Sequence, residues 1–303
     1  MRAYVGVTHR PWVQHLRARG LTEANFWRPG AGRAFKALSV GAPFLFKTHH
    51  PHDRVVGAGF FSGFVRLRVS EAWDLYGEGN GVASVEQLHR DLGSFRSSGA
   101  VEPDPLIGCV LLRDLVLPDV ELEPPGDFAK NVVSGKGYDL SAPAGAEVAG
   151  LLDQLLGQAA AESPAEHSLR QMFGDTRLVR PRLGQQAFRA VVLDAYSRRC
   201  AITGSHISPV LQAAHIRPVA HDGEHRVDNG MLLRSDVHTL FDRGLVGVDP
   251  DHRLHVSPRI RDTYGNGAEL YARQGKPVHV PQEIAQRPGP EFLEWHMDEV
   301  FQR

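Results

Sequence analysis

Four histidines and one Asn-Gly pair lie within residues 212–244, QAAHIRPVAHDGEHRVDNGMLLRSDVHTLFDRG. Histidine has an ordinary pKa of about 6.5, so it can take up a proton near neutral pH, and its ring nitrogens can bind a metal ion. Residues of these types are compatible with a catalytic site, a metal site, or a polar loop that happens to be rich in imidazole. The elements around them must distinguish the three interpretations.

The pattern around these histidines predicts two short strands and a helix. Residues 211–216, LQAAHI, predict a strand that carries His215, and residues 229–233, NGMLL, predict a turn followed by a second strand. Residues 235–244, SDVHTLFDRG, predict a helix that carries His238. This order would bring together a histidine from a strand and a histidine from a helix.

The order His215, Asn229, His238 on such elements resembles the HNH nuclease signature on a ββα-metal fold. The likeness extends to RLGQQAFRAVVLDAYSRRCAITG, AAHIRP, NGMLLRSDVHTLFDRG and the terminal EFLEWHMDEVF, which are similar to bacterial HNH restriction endonucleases. It covers about residues 177–303. The resemblance implies a nuclease that hydrolyses phosphodiester bonds with one divalent metal ion at each site.

Such a reaction needs a deprotonated water, shielding of charge on the phosphoryl oxygens and stabilisation of the leaving oxygen. His215 is the predicted general base, because imidazole can accept a proton near neutral pH. The resemblance assigns Asn229 the role of orienting that imidazole by a hydrogen bond. It assigns His238 the role of binding the metal ion.

The second metal ligand is less directly indicated, because many HNH enzymes have an acidic ligand where this chain has Ala214. Asp242 follows His238 by four residues and therefore shares its face of the predicted helix. It is the predicted second ligand, and a structural hydrogen bond or ion pair is the alternative. The expected ion is Mg, Mn, Co or Ni. No structural zinc is expected, because the chain has only two cysteines.

Arginines gather immediately before this unit. Residues 177–199 carry six arginines and one acid, in a chain whose formal net charge is −1. An exposed helical face is one interpretation, and contact with the phosphates of a DNA backbone is the other. The predicted phosphate-binding side chains are Arg182, Arg198, Arg199, Arg234 and Arg243.

The N-terminal part predicts a barrel-like sheet with helices at its rim, because its Val-, Phe- and Leu-rich segments alternate with glycines. ANFWRPGAGRAFKALSVGAPFLFKTHHPHDRVVGAGFF followed by AWDLYGEGNG resembles the PUA-like group, which includes EVE, ASCH, YTH and SRA-related domains. This resemblance implies a domain that recognises an altered base, often flipped into an aromatic pocket. The predicted pocket residues are Asn25, Trp27, Trp73 and Tyr76. Packing in the domain core is their alternative role.

The predicted fold class is therefore α+β, with an N-terminal PUA-like β-barrel, a linker helix and a C-terminal ββα-metal HNH domain. The expected boundaries are 1–140 for the reader, 141–176 for the linker and 177–303 for the nuclease. A chain of 303 residues is long enough for two cores.

Together the two resemblances imply a modification-dependent endonuclease that restricts modified foreign DNA. Its expected partner is double-stranded DNA, and a homodimer is expected because one site serves one strand. A non-cleaving reader with a degenerate HNH unit and an RNA-directed nuclease remain alternatives. No apolar run approaches the roughly 18 residues that cross a bilayer, so a cytoplasmic protein with no membrane partner is expected.

Overall fold

The computed structural model describes residues 1–32, 35, 37–95, 102–162 and 183–303. The chain divides into two compact units, Met1–Ala187 and Phe188–Arg303. Within the described ranges, no helix combines the length and the hydrophobicity needed to cross a bilayer.

The first unit contains a six-stranded sheet in the order β2-β5-β4-β3-β1-β6, in which only β1 and β3 run parallel. The strands are β1 (Arg2–Thr8), β2 (Glu23–Arg28), β3 (Pro43–Thr48), β4 (Val55–Arg68), β5 (Leu106–Val116) and β6 (Gly135–Asp139). The predicted mixed α+β class is confirmed. Among the described residues, β2 and β6 are the edge strands of this sheet, so the predicted PUA-like β-barrel is present as a six-stranded sheet without a closing strand pair.

Helices cover both faces of this sheet. They are α1 (Arg10–Ala18), α2 (Val69–Tyr76), α3 (Val85–Phe95) and α4 (Pro143–Glu162). One core joins Val5 and Leu45 to Leu155 of α4, and the other joins Phe44 to Leu16 of α1. Burial of a leucine side chain such as Leu155 contributes about 2 kcal/mol. The helix predicted as a linker is therefore packed into the core of the first unit.

The second unit contains two small antiparallel pairs of strands surrounded by helices. Its elements are α5 (Gln185–Ala195), which starts just before the unit boundary, β7 (Leu211–His215), β8 (Gly230–Arg234), α6 (Ser235–Asp242), β9 (Val246–Val248), β10 (Leu254–Val256), α7 (Arg259–Tyr264), α8 (Ala268–Tyr271) and α9 (Pro290–Glu299). β7 pairs with β8, with His215 opposite Gly230. Since α6 follows β8 directly, the structure has the predicted order of strand, strand and helix.

Gly230 allows α5 to approach the strand pair. A Cβ atom at this position would lie 2.6 Å from Cγ2 of Val192 and 3.0 Å from the ring of Phe188. Real Cβ atoms do not make such contacts, so any other residue would push α5 outward. The glycine thus brings Phe188 to the His215 end of the strand pair.

His296 of α9 packs against α6 on its buried side. Its ring is 2% exposed and stacks on Phe241, with centroids 3.8 Å apart and 9° between the planes. Its Nε2 lies 3.0 Å from the Phe241 carbonyl oxygen, to which it donates. Burial lowers the pKa of His296 to about 4, so this imidazole is neutral near neutral pH and packs as an aromatic ring.

Candidate active site

His215 stands at the end of β7, between an aromatic ring and a second histidine. Its imidazole stacks on Phe188 of α5, with centroids 4.0 Å apart and planes at 9°. Its Nε2 lies 2.9 Å from Nδ1 of His225. Burial, followed by the charges of His225 and His238, lowers the pKa of His215 to about 4. The imidazole is therefore unprotonated near neutral pH and has a lone pair available for a proton.

His238 projects from α6 and is oriented by Gln212 of β7. Its Nδ1 lies 2.8 Å from Oε1 of Gln212. Because an amide oxygen only accepts hydrogen bonds, Nδ1 carries the proton in the neutral ring, and Nε2 keeps its lone pair. That Nε2 lies 3.4 Å from Oδ2 of Asp242, one helical turn further along. Burial raises the pKa of Asp242, while the charge of His238 lowers it to a smaller extent.

His238 and Asp242 form a donor set that fits a hydrated divalent cation. Two neighbouring ligands at about 2.0–2.1 Å from one ion lie roughly 2.8–3.4 Å apart, from octahedral to tetrahedral angles, and 3.4 Å separates these two atoms. In the part of the chain that the structure describes, no three His, Cys, Asp or Glu side chains are grouped to hold a metal. The protein would therefore supply two ligands and leave the other positions to water and phosphate oxygens, as Mg²⁺ sites do.

Asn229 does not orient the His215 ring, which corrects the role predicted for it. Its side chain is fully buried, and both of its amide hydrogens go to main-chain carbonyls, those of Arg217 and Glu224, each at 2.9 Å. Its Oδ1 accepts from the Arg217 amide, also at 2.9 Å. Buried polar groups in folded proteins are hydrogen-bonded, and here the partners of the Asn229 amide are main-chain atoms of the loop between the strands. Asn229 therefore fixes the path of that loop. That loop carries His225.

Gln212 and His225 complete the geometry, and neither is among the predicted site residues. Gln212 has a detectable signal, because strand alternation places it on the same face of β7 as Ala214, where the missing acid would stand. Ala214 itself is fully buried. His225 has no such signal, because it lies in an irregular loop whose shape depends on the Asn229 hydrogen bonds.

Two of the predicted phosphate-binding arginines are already paired within the protein. Arg234 forms a bidentate contact with Asp236, with Nε and Nη2 each 2.7 Å from a carboxylate oxygen. Arg198 lies 3.7 Å from Asp194. Such pairing leaves less of their charge available to a phosphate than the sequence suggested.

Two of the other three predicted arginines form no ion pair among the described residues. Arg199 and Arg243 are exposed, and neither has a carboxylate within 4.0 Å among the described residues. Their charge is directed to solvent and can reach a phosphate. Arg182 lies outside the described residues.

Two of the four residues predicted to line a base pocket are buried, and two are half-buried. Asn25 is fully buried and donates to Oδ1 of Asn80 at 2.9 Å, while Tyr76 is 8% exposed. Trp27 is half-buried and donates from Nε1 to the Asn80 carbonyl at 3.0 Å. Trp73 is half-buried in α2. Asn25 and Tyr76 therefore lie in the interior of the first unit, which is the alternative role given for them.

Among the described residues of this unit, neither Oδ1 of Asn25 nor the hydroxyl of Tyr76 has a hydrogen-bond partner. Burial raises the pKa of Tyr76 well above its ordinary value, so the phenol stays protonated. One buried acceptor and one buried donor are thus unused.

Comparison with known proteins identifies the second unit most clearly. Residues 200–249 match the model of a family described as HNH endonuclease, which confirms the resemblance predicted for this segment. Residues 200–249 therefore carry the sequence pattern of an HNH endonuclease domain. No curated protein matches the sequence.

Two solved structures are similar over larger parts of the chain at low identity. The ASCH protein of Zymomonas mobilis is 15% identical, with a TM-score of 0.35, over 49% of this chain and 94% of that chain. TagI, a modification-dependent restriction endonuclease, is 14% identical, with a TM-score of 0.28, over 86% of this chain and 62% of that chain.

Proposed function

We propose that this chain, with its HNH domain, is a metal-dependent DNA endonuclease whose N-terminal unit directs it to modified DNA. The observation that carries the proposal is the 2.8 Å contact between Nδ1 of His238 and Oε1 of Gln212, which ties α6 to β7, the strand that carries His215. Each imidazole also has a hydrogen-bond partner that holds its ring, Gln212 for His238 and His225 for His215.

His215 acts as the general base. Its Nε2 is engaged with Nδ1 of His225, so we assign the proton from the attacking water to its Nδ1. A bond forms from the water oxygen to phosphorus, the bond from phosphorus to the leaving oxygen breaks, and solvent protonates that oxygen. His225 is a positioning residue, since it acts by holding the ring of His215.

His238 and Asp242 would hold one divalent ion, with Mg, Mn, Co and Ni as the candidates. When bound, that ion shields the charge that develops on the phosphoryl oxygens. Gln212 holds the His238 ring so that its lone pair faces Asp242.

Recognition of a modified base is assigned to the first unit. The half-buried rings of Trp27 and Trp73 support this assignment, because aromatic side chains can stack on an extruded base. Two copies of the chain are expected to pair on the duplex, which sedimentation in the presence of DNA would measure.

Cleavage of a panel of DNAs tests the proposal. The panel contains unmodified, 5-methylcytosine, hydroxymethylcytosine, N6-methyladenine and phosphorothioate DNA, each with Mg, Mn, Co or Ni. The wild-type chain should cut at least one modified DNA faster than unmodified DNA. His215→Ala should abolish cutting, and His221→Ala, an exposed histidine of the same loop, should not. A wild-type chain that cuts no DNA in this panel would contradict the nuclease.

A second candidate function is a reader that binds nucleic acid without cutting it. Ala214 favours it, since this position provides no carboxylate. Calorimetry with Mn²⁺ distinguishes the two functions. A nuclease site should bind the ion in a way that His238→Ala removes, whereas a degenerate site should show no such binding.

A further inference from the structure

A cleft of about 590 Å³ opens beside Asp242 on the second unit. Its wall includes Asp242, Arg243, Arg259, Tyr264, Glu299 and Gln302. The cleft falls within the roughly 300–1,000 Å³ range of ligand-sized clefts. It shares one residue, Asp242, with the pair of groups assigned to the metal ion.

Two guanidinium groups of this wall have no carboxylate partner. Among the described residues, neither Arg243 nor Arg259 has an acidic oxygen within 4.0 Å. Other arginines of this unit, such as Arg226 and Arg234, form ion pairs with neighbouring carboxylates. The same wall carries two carboxylates, Asp242 and Glu299, but neither lies within 4.0 Å of these guanidinium groups, so both cations remain available to an anion.

Gln302 fixes the positions of these two arginine residues. Its Oε1 accepts from Nη1 of Arg259 at 2.6 Å, and its Nε2 donates to the carbonyl of Arg243 at 2.8 Å. One side-chain amide therefore links the end of α6 to the start of α7. The Arg259 guanidinium is held by a neutral partner, so its positive charge is retained.

Tyr264 adds an aromatic surface to the same wall. The residue is 63% exposed, so its ring is open to solvent and to a ligand. Exposed aromatic rings beside cationic grooves are how proteins bind single-stranded nucleic acid, with the ring stacking on a base and the cations holding the phosphates.

We infer that this cleft binds an unpaired nucleotide segment of DNA, next to the phosphate that is cut. Arg243 and Arg259 hold its backbone phosphate, and Tyr264 stacks on one base. The place of this segment next to the cut rests on the proposed function, because Asp242 belongs to that site. The binding chemistry itself does not depend on cleavage.

The test is fluorescence anisotropy of labelled octathymidylate with the full chain, in EDTA and over a range of salt concentrations. Arg259→Ala should weaken binding about tenfold and reduce the salt slope by about 0.7, the value for one lost phosphate contact on a single strand. Arg243→Ala should act in the same direction, and its exposed side chain has no described role in folding. Tyr264→Ala should weaken binding several-fold, while Tyr264→Phe retains the stacking and should not.

Arg261→Ala is the matched control. Arg261 lies on the same helix as Arg259 and has the same charge, but it pairs with Asp262 at 3.6 Å and does not line the cleft. It should change affinity less than twofold. Equal losses for Arg259→Ala and Arg261→Ala would show general charge attraction and overturn the inference. Tighter binding of octauridylate than of octathymidylate would overturn the assignment to DNA.

Failure of the inference and failure of the proposed nuclease give different results. Suppose the wild-type chain cuts DNA, but Arg259→Ala leaves the affinity for octathymidylate and for the substrate unchanged. The nuclease site is then present, and the cleft does not bind an unpaired strand. A chain that cuts nothing but loses octathymidylate binding specifically with Arg259→Ala has the cleft without the nuclease.

Discussion

Nε2 of His215 and Nδ1 of His225 lie 2.9 Å apart, so a single proton joins the two rings. If both nitrogens carried a proton they would repel each other, and if neither did no hydrogen bond would form. This relationship makes the state of one histidine depend on the other.

The pH dependence of cleavage should show the low pKa of His215. Its pKa is lowered to about 4, so the free protein keeps this base unprotonated through neutral and mildly acidic pH. At saturating metal, kcat/KM should therefore lose no activity to protonation of His215 until the pH approaches about 4–5. A plot of kcat/KM against pH measures this, and an acid limb near about 6.5 would contradict the assignment.

His225→Asn should lower kcat about 10- to 100-fold, the usual effect of losing a partner that orients a functional imidazole. The acid limb of the pH profile should also move upward. The charge of His225 is the second cause of the lowered pKa of His215, and the substitution removes it. His221→Asn is the control, since His221 is an exposed residue of the same loop. A drop in kcat with no movement of the acid limb would indicate a structural role only.

Asp242→Asn should weaken Mn²⁺ binding at least tenfold in calorimetry, because an amide oxygen is a weaker ligand than a carboxylate. Asp236→Asn is the matched control on the same helix. Asp236 pairs with Arg234 and faces away from His238, so its loss should leave the Mn²⁺ affinity unchanged. Equal effects of the two substitutions would remove Asp242 from the metal site.

Gln212→Leu should reduce metal affinity or cleavage about 10- to 100-fold, because the His238 ring loses the acceptor that fixes its tautomer. Gln212→Glu keeps an acceptor at the same reach and should retain more of the activity. If both variants behaved like the wild type, the 2.8 Å contact would have no functional role.

The packing of α6 on α9 should weaken in acid. His296 has its pKa lowered to about 4 when folded, below its ordinary 6.5, so its contribution is fully present above about pH 6.5. It is lost as the pH falls through about 4, with a magnitude on the order of 3 kcal/mol. Hydrogen exchange of peptides from both helices, corrected for intrinsic rates, should show this loss. His296→Gln does not titrate and should flatten the dependence.

Parts of this site could be predicted from sequence because they depend on local periodicity. His238 and Asp242 are one helical turn apart in any helix, and the strand, strand and helix order follows from alternation and turn residues. Whether the N-terminal strands close into a barrel could not be predicted in the same way, because closure depends on pairing between distant strands that local patterns do not specify.

The roles of Asn229 and His225 could not be read from sequence for a related reason. Each depends on the path of the loop between the strands, which is set by hydrogen bonds between a buried amide and the main chain. The same holds for Asn25 and Tyr76. The local sequence pattern around an aromatic or polar residue is the same whether that residue lines a pocket or packs in the core.

The hydrogen bonds of Asn229 also affect the rate at which this residue is deamidated. Asn-Gly pairs are prone to deamidation, in which the glycine nitrogen attacks the side-chain amide. Here that amide is held on three sides, and the Gly230 nitrogen donates to the Val227 carbonyl. Deamidation therefore requires the loop to open. The rate of deamidation at Asn229 during storage would measure how often this loop opens.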